Sequence, residues 1–208
     1  MSLLFLLCLA GVIAVLPPLF RSYEYERLRQ KYGKERGNRI GEILGIVTGY
    51  LYFGLWAGLW LSPQERFSLG VLAAPPVTLS VWGVTLSIPL DHLLVGLAFV
   101  IPGAWLGIAG VREVTLRVAE LHRPERVVTT GVYAHVRHPQ YLGGVLSHVG
   151  ISFVLSGLCS LLVTPVMIVV NFLIARKEET ELLREFGKVY EIYKQQVPML
   201  IPRLRAKS

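Results

Sequence analysis

PQYLGGVLSHVGISFVLSGLCSLLVTPVMIVVNFLIA, Pro139 to Ala175, is 37 residues without a formal charge, counting neutral His148. A helix that crosses the hydrocarbon core needs about 20 residues. The run is too long for one perpendicular crossing and too short for two. Near its middle, LSGLCS (Leu155–Ser160) offers Ser156-Gly157 as a turn. The run therefore predicts a tight antiparallel helical hairpin over 141–175, each arm about 16 residues or roughly 24 Å long. Such arms sit tilted or shallow, with both outer ends near the same surface. The polar flanks RHPQY, at the entrance, and ARKEET (Ala175–Thr180), at the exit, become neighbours in space.

The same reading extends outward along the chain. Residues 1–20 carry no charge, and further charge-free runs lie between Glu42 and Glu65, Arg66 and Asp91, and Asp91 and Arg112. With 53% hydrophobic residues, 17% charged residues and a mean hydropathy of +0.53, the composition exceeds what a soluble core of 208 residues requires. An all-α integral membrane protein is expected, with about five transmembrane helices. The last two form the hairpin, and an amphipathic C-terminal helix follows. Spans are expected at 3–20, 43–61 and 92–111, followed by hairpin arms at 141–156 and 160–175. An N-terminal transmembrane region, 1–111, thus precedes a cytoplasm-facing region, 112–208. The first run lacks a charged leader and a small-x-small cleavage site, so it reads as a retained span rather than a signal peptide.

The segment 67–90, FSLGVLAAPPVTLSVWGVTLSIPL, is broken by Pro75-Pro76 and Pro89 and alternates roughly from Val77 to Ile88. An external or re-entrant hairpin, β-like from Val77 to Ile88, is expected there, because a sixth span would divide the basic loops between two sides.

The net charge of +7 invites a nucleic-acid reading, but the basic residues fall into three blocks. Seven lie in 21–40, five in 112–138 and eight in 176–208, with Arg66 alone elsewhere. Basic residues collect in cytoplasmic loops. The blocks therefore report topology, with the N-terminus outside and the C-terminus and site cytoplasmic, and no nucleic acid is expected. Cys8 and Cys159 sit inside apolar runs and read as small buried hydrophobes, and no ligand spacing suggests a metal.

The flanks carry more than a collar needs. His138 precedes Pro139, which suits the first turn of the following helix. The helix N-terminus beside His138 is a seat for a carboxylate or ribose oxygen. Tyr141 lies one turn inside. Glu178 and Glu179 sit near the C-terminal end of an apolar helix, where the dipole gives acidic groups nothing. Leu182, Leu183, Phe186, Val189, Ile192 and Tyr193 then form the apolar side of an amphipathic helix. From these residues alone, a juxtamembrane collar and a site both remain open.

TTGVYAHVRHPQYLGG, followed by RKEETELLREFGKVYEIYKQQVPMLIP, resembles the integral-membrane methyltransferases of the isoprenylcysteine carboxyl methyltransferase and phospholipid methyltransferase family. The resemblance covers roughly residues 120–203. It implies S-adenosylmethionine as cofactor, faced by Val127, Val128, Tyr133, His138, Pro139, Gln140, Tyr141, Glu178 and Glu179. It also implies a lipophilic methyl acceptor, expected to enter from the bilayer between the spans 92–111 and 141–156. In relatives of this kind a histidine precedes the first motif, where Glu125 stands here. An arginine usually lies four residues before the first glutamate, where Ile174 stands. A carboxylate acceptor needs orientation, for which Arg176 or Arg137 is expected. An amine acceptor needs a base, for which Glu178 or His138 is placed. Protein-S-isoprenylcysteine carboxyl O-methylation is the expected activity, with phospholipid amine N-methylation as the alternative. A sterol-type membrane reductase and a non-enzymatic membrane protein are further alternatives.

Overall fold

Phe5, Cys8, Val12, Val15, Leu16, Leu19 and Tyr23 recur at steps of three and four residues, the spacing of one helical face. They form the buried side of α1 (Leu3–Tyr23), which Ser2 caps by accepting the Phe5 amide at 3.2 Å. The structure, a computed structural model, describes residues 1–81, 84–114 and 126–202. The departure at Glu125 lies outside the described residues.

After a break at Glu24, α2 (Tyr25–Tyr32) turns the chain back and α3 (Lys34–Leu61) returns along α1. The α2–α3 corner is tight. A Cβ on Gly37 would lie 2.6 Å from the Leu28 carbonyl, so the backbones touch there. Tyr52, Trp56 and Leu59 of α3 then meet the α1 face in a core shared with Val163, Met167, Val170 and Ile174.

The doubtful segment 67–90 contains two antiparallel strands, β1 (Val77–Val81) and β2 (Val84–Ile88), with Val77 opposite Ile88 and Leu79 opposite Leu86. The β-like hairpin expected from the Val/Thr alternation is present. The chain just before it is stitched to the turn of the helical hairpin. Phe67 N–H donates to the Ser156 carbonyl at 3.1 Å, and Leu158 N–H to that of Glu65 at 3.0 Å.

Helix α4 (Leu90–Val114) and helix α5 (Pro139–Val154) run antiparallel with their backbones in contact. Gly96, Gly103 and Gly110 recur every seven residues on α4 and meet Gly150, Gly143 and Gln140 of α5. A Cβ on Gly143 would lie 2.5 Å from the Gly103 carbonyl, and one on Gly150 2.5 Å from that of Gly96. Small residues at such spacing let helices pack closely in an apolar medium. This corrects the expected entry route, since a seam closed backbone to backbone has no room for a lipid chain.

The hairpin turn falls where LSGLCS placed it. Ser156 adopts φ 53°, and the chain continues through α6 (Leu158–Leu162) into α7 (Thr164–Phe186). Helix α7 does not stop at Ala175. Apart from Thr180, Arg176 to Arg184 are good helix formers and extend it until Gly187, at φ 51°. Helix α8 (Lys188–Gln196) follows, with Tyr190 and Tyr193 buried against Leu182, Leu183 and Phe186. The expected amphipathic helix is thus divided between α7 and α8.

Among the described residues, three helices are long and apolar enough to cross a membrane: α1, α3 and α4. The hairpin arms differ from these in a way the sequence foreshadows, because α5 has only 16 residues and α7 is apolar only in its first half. Inside the bundle, His148 is fully buried. Its Nδ1 accepts from Trp56 Nε1 at 2.8 Å and Trp60 Nε1 at 3.0 Å, so the ring proton sits on Nε2, 2.9 Å from the Ser160 carbonyl. That cage ties α3 to both sides of the hairpin turn.

Candidate functional site

Pro139 opens α5, and its fixed φ leaves His138 as the capping residue at φ −125°, ψ 65°. The first intrahelical bond runs from Leu142 N–H to the His138 carbonyl at 3.1 Å. The amides of Gln140 and Tyr141 therefore precede the helical ladder and carry its positive end. Upstream, the amides of Arg137 and His138 donate to the carbonyls of Pro198 (2.9 Å) and Met199 (3.1 Å). The chain after α8 is thus strapped across the entrance of α5.

The hairpin brings Glu178 and Glu179 to this point, and the two adjacent carboxylates are treated differently. Glu179 is buried, and both of its oxygens are taken. Arg137 Nε donates to Oε1 at 2.6 Å, His138 Nε2 lies 3.2 Å from the same atom, and Lys194 Nζ lies 3.2 Å from Oε2. Burial alone would raise the Glu179 pKa. Hydrogen bonds from His138 and Arg137, with their charges, override it and bring the pKa down to about 2. Arg137 also donates through Nη1 to the carbonyls of Lys194, at 2.9 Å, and Val197.

Glu178 is half-engaged. Its Oε2 accepts from the Tyr141 hydroxyl at 2.9 Å and lies 3.7 Å from His138 Nδ1, while Oε1 has no partner among the described residues. The rings of His138 and Tyr141 stack at 5.4 Å. Nearby, the Tyr133 hydroxyl accepts from Gln140 Nε2 at 3.3 Å, and the Tyr133 carbonyl accepts from the Tyr193 hydroxyl at 2.7 Å. Burial and the negative charge of Glu178 push the Tyr133 phenol up, so it stays protonated at neutral pH.

These groups border a cavity of about 150 Å³. One water needs only about 10–15 Å³ by this measure, so the space is of ligand scale rather than a packing gap. Of the residues expected from the sequence, Val127, Val128, Tyr133, Arg137, His138, Gln140, Tyr141 and Glu178 line it. Pro139 and Glu179 are buried beside it and hold its wall without lining it.

Arg176 does not reach the cavity. It is exposed, with its guanidinium 5.8 Å from the centre of the Phe172 ring. At about 100° per residue it points some 200° from Glu178, nearly the opposite side of α7. The expectation that Arg176 orients an acceptor is corrected by that register. Ile174, at the position of the expected arginine, faces the α1–α3 core and is 2% exposed.

Several lining residues went unpredicted: Phe53 from α3, Val114 from α4, Arg126, and Leu182, Tyr190 and Tyr193 from the C-terminal helices. The tyrosines had a signal, since Y-x-x-Y at 190–193 places two rings on one face, but it reads equally well as core. Phe53 has no local signal, because its role depends on how α3 docks.

The phospholipid methyltransferase family model matches residues 91–189. A methanethiol S-methyltransferase of Crocosphaera subtropica is 32% identical over 48% of this chain and 38% of its own length. A protein-S-isoprenylcysteine O-methyltransferase of Schizosaccharomyces pombe is 37% identical over 36% of this chain and 33% of its own. Methanethiol S-methyltransferase 1 of Bradyrhizobium diazoefficiens is 36% identical over 47% of this chain and 34% of its own. The chain thus spans between a third and two fifths of the curated relatives it matches. No solved structure matches it. The matched region holds α4, the hairpin and the paired glutamates, and over it the chain is similar to phospholipid methyltransferases and other membrane methyltransferases.

Proposed function

We propose that the chain is an S-adenosylmethionine-dependent integral-membrane methyltransferase acting on a lipophilic acceptor. One observation carries the reading. In the stretch shared with methyltransferases, Glu178, whose Oε1 has no partner among the described residues, lines a cavity beside the first amides of a helix N-terminus.

The residues fit the donor's chemistry. Glu178 Oε1 accepts from an ammonium or from ribose hydroxyls, and the amides of Gln140 and Tyr141 suit a carboxylate. Val127, Val128 and Tyr133 offer an apolar and aromatic wall for a flat base. Pro139 fixes the entry of α5, and Glu179 anchors Arg137 and His138. When bound, S-adenosylmethionine supplies a methyl group already activated on a sulfonium. The protein's own contribution is alignment and the exclusion of water.

The acceptor reading follows from charge. Arg126 and Arg137 are the cations at the cavity wall, and Arg137 Nη2 has no partner among the described residues. Two guanidinium groups favour an anionic acceptor, and a carboxylate needs only to be oriented. The proposed reaction is therefore O-methylation of an isoprenylcysteine carboxylate or a similar lipophilic acid. The acceptor enters from the bilayer past Phe53, between α3 and α4 rather than between α4 and α5. The site faces the cytoplasm, where the basic blocks collect, and the N-terminus lies outside. Phospholipid amine methylation is the second reading, favoured by the family model's name.

Calorimetric titration of the detergent-purified protein with S-adenosylmethionine tests the core of this proposal. Binding below millimolar concentration is expected, weakened about tenfold or more by Glu178→Gln, as for loss of a hydrogen bond to a charged group. No binding at millimolar cofactor overturns the proposal. Methyl transfer to a farnesylcysteine analogue is then compared with transfer to phosphatidylethanolamine and to methanethiol. Transfer to the analogue alone supports the carboxylate reading, and transfer to either of the others replaces it.

A further inference from the structure

The family match begins at residue 91, yet the cavity wall is tied to a corner of the chain nearly seventy residues earlier. Tyr23 ends α1 and is 2% exposed. Its hydroxyl lies 3.1 Å from that of Tyr141, which lies 2.9 Å from Glu178 Oε2. The next residue, Glu24, meets Lys177 Nζ at 2.7 Å, and Lys177 precedes Glu178. Two adjacent residues of the α1–α2 corner thus engage α7 around the acidic edge of the cavity. One contact is direct, and the other runs through Tyr141.

Proton counting fixes the direction of the tyrosine chain. A phenol has one hydrogen, and an ionised carboxylate only accepts. Tyr141 gives its hydrogen to Glu178, so the hydrogen between the two phenol oxygens belongs to Tyr23. The chain therefore runs Tyr23 O–H to Tyr141 O–H to Glu178. Each donation polarises the next donor, so the first bond strengthens the second. It also fixes the rotation of the Tyr141 hydroxyl, whose hydrogen would otherwise sweep other directions. With Oε2 held in this way, Oε1 is the oxygen left for a ligand.

We propose that Tyr23 is a positioning residue of the cofactor site, acting through Tyr141 to keep Glu178 Oε1 turned toward the ligand. This rests on the functional reading above and extends it, because it makes the α1–α2 corner a working part of the site rather than a membrane anchor alone. Tyr23 is not among the residues that line the cavity.

Calorimetric S-adenosylmethionine affinities of four detergent-purified proteins test it: wild type, Tyr23→Phe, Tyr141→Phe and the double variant. Tyr23→Phe is expected to weaken binding about fivefold, the scale of one hydrogen bond. The double variant should be no weaker than Tyr141→Phe, since Tyr23 acts through Tyr141. Loss of packing alone would instead give additive losses. Tyr52→Phe is the control, because it removes another buried phenol of the same core, bonded to Asn171 at 3.2 Å, and should leave affinity unchanged.

If wild type does not bind, the functional reading fails and takes the relay with it. If wild type binds and Tyr23→Phe matches it, only the relay is overturned. Additive losses, or an equal loss in Tyr52→Phe, also overturn it. Should Tyr23→Phe fail to fold, Tyr141→Phe still decides. Unchanged affinity there rules out the path from Tyr23 through Tyr141 to Glu178, while a severalfold loss supports it.

Discussion

The α4–α5 pair carries a buried histidine cluster at each end, and the two clusters use their polar atoms differently. At the start of α4, His92 is fully buried, with Nε2 accepting from the Leu69 amide at 3.0 Å. Its Nδ1 faces the Phe153 carbonyl at 3.1 Å and the Ser156 hydroxyl at 2.9 Å. Asp91 accepts the Val71 amide at 3.1 Å and the His92 amide at 2.9 Å. Most of these partners are the chain's own backbone, and the cluster clamps the 67–71 segment onto the hairpin turn. At the other end, His138 faces two carboxylates, one saturated and one with an oxygen to spare beside a cavity. Burial and histidine are common to both. What separates a clamp from a candidate site is the remaining valence: a closed cluster knits a loop, and an open one is ready for a ligand.

The sharpest way to break this contrast is to remove the group that saturates Glu179. Arg137→Ala leaves a buried carboxylate short of its closest donor and frees the strap at 194–197. It should cost about 3–5 kcal/mol, the range for breaking a buried ion pair, as read by denaturation in detergent. A smaller effect would mean that His138 and Lys194 hold Glu179 without it.

Acid probes the same carboxylate reversibly. Its pKa falls from 4.5 to about 2 on folding, so its contribution is complete above about pH 4.5 and is lost as pH drops toward 2. The full shift corresponds to roughly 3 kcal/mol. Glu179→Gln should flatten the stability profile in that window, and a profile as steep as wild type would assign the acid sensitivity elsewhere. At the other end, His92→Ala should cost about 1–3 kcal/mol by leaving the Leu69 amide and Ser156 hydroxyl unpaired. Amide exchange at Leu69 should rise while S-adenosylmethionine affinity stays unchanged. A loss of affinity there would join the two ends that the comparison separates.

How much of this was legible in the chain depended on the range of the signal. The hairpin turn was visible because Ser156-Gly157 interrupts an apolar run, and β1–β2 because prolines bracket alternating Val and Thr. The meeting of RHPQY with Glu178-Glu179 followed from hairpin geometry, since any tight return brings its flanks together. Tyr23, 118 residues from Tyr141, had no such geometry to announce it. Nor did Phe53, whose place depends on the docking of α3. Trp56 and Trp60 share a helical face and did offer a signal for the His148 cage, but an aromatic face in an apolar helix more often means core. Register was the subtler loss. Charge and proximity selected Arg176, and the uninterrupted course of α7 past Ala175 turned it away from the cavity.

That last point yields the smallest and most discriminating prediction. Arg176 and Arg126 are both exposed arginines that flank the hairpin in sequence, one after its exit and one before its entrance, yet only Arg126 lines the cavity. Removing Arg176 forfeits a contact over the Phe172 ring, about 0.5–1 kcal/mol at an exposed site. It should change neither cofactor affinity nor the acceptor KM by more than about twofold. Arg126→Ala should instead raise the KM for a farnesylcysteine analogue severalfold with kcat nearly unchanged, as expected when a group binds ground state and transition state alike. The pair is informative because net charge falls by one in both variants, so long-range attraction of an anionic acceptor is weakened in both. Any difference between them isolates position. A raised KM in Arg176→Ala with none in Arg126→Ala would reverse the register argument and return the acceptor to the far face of α7.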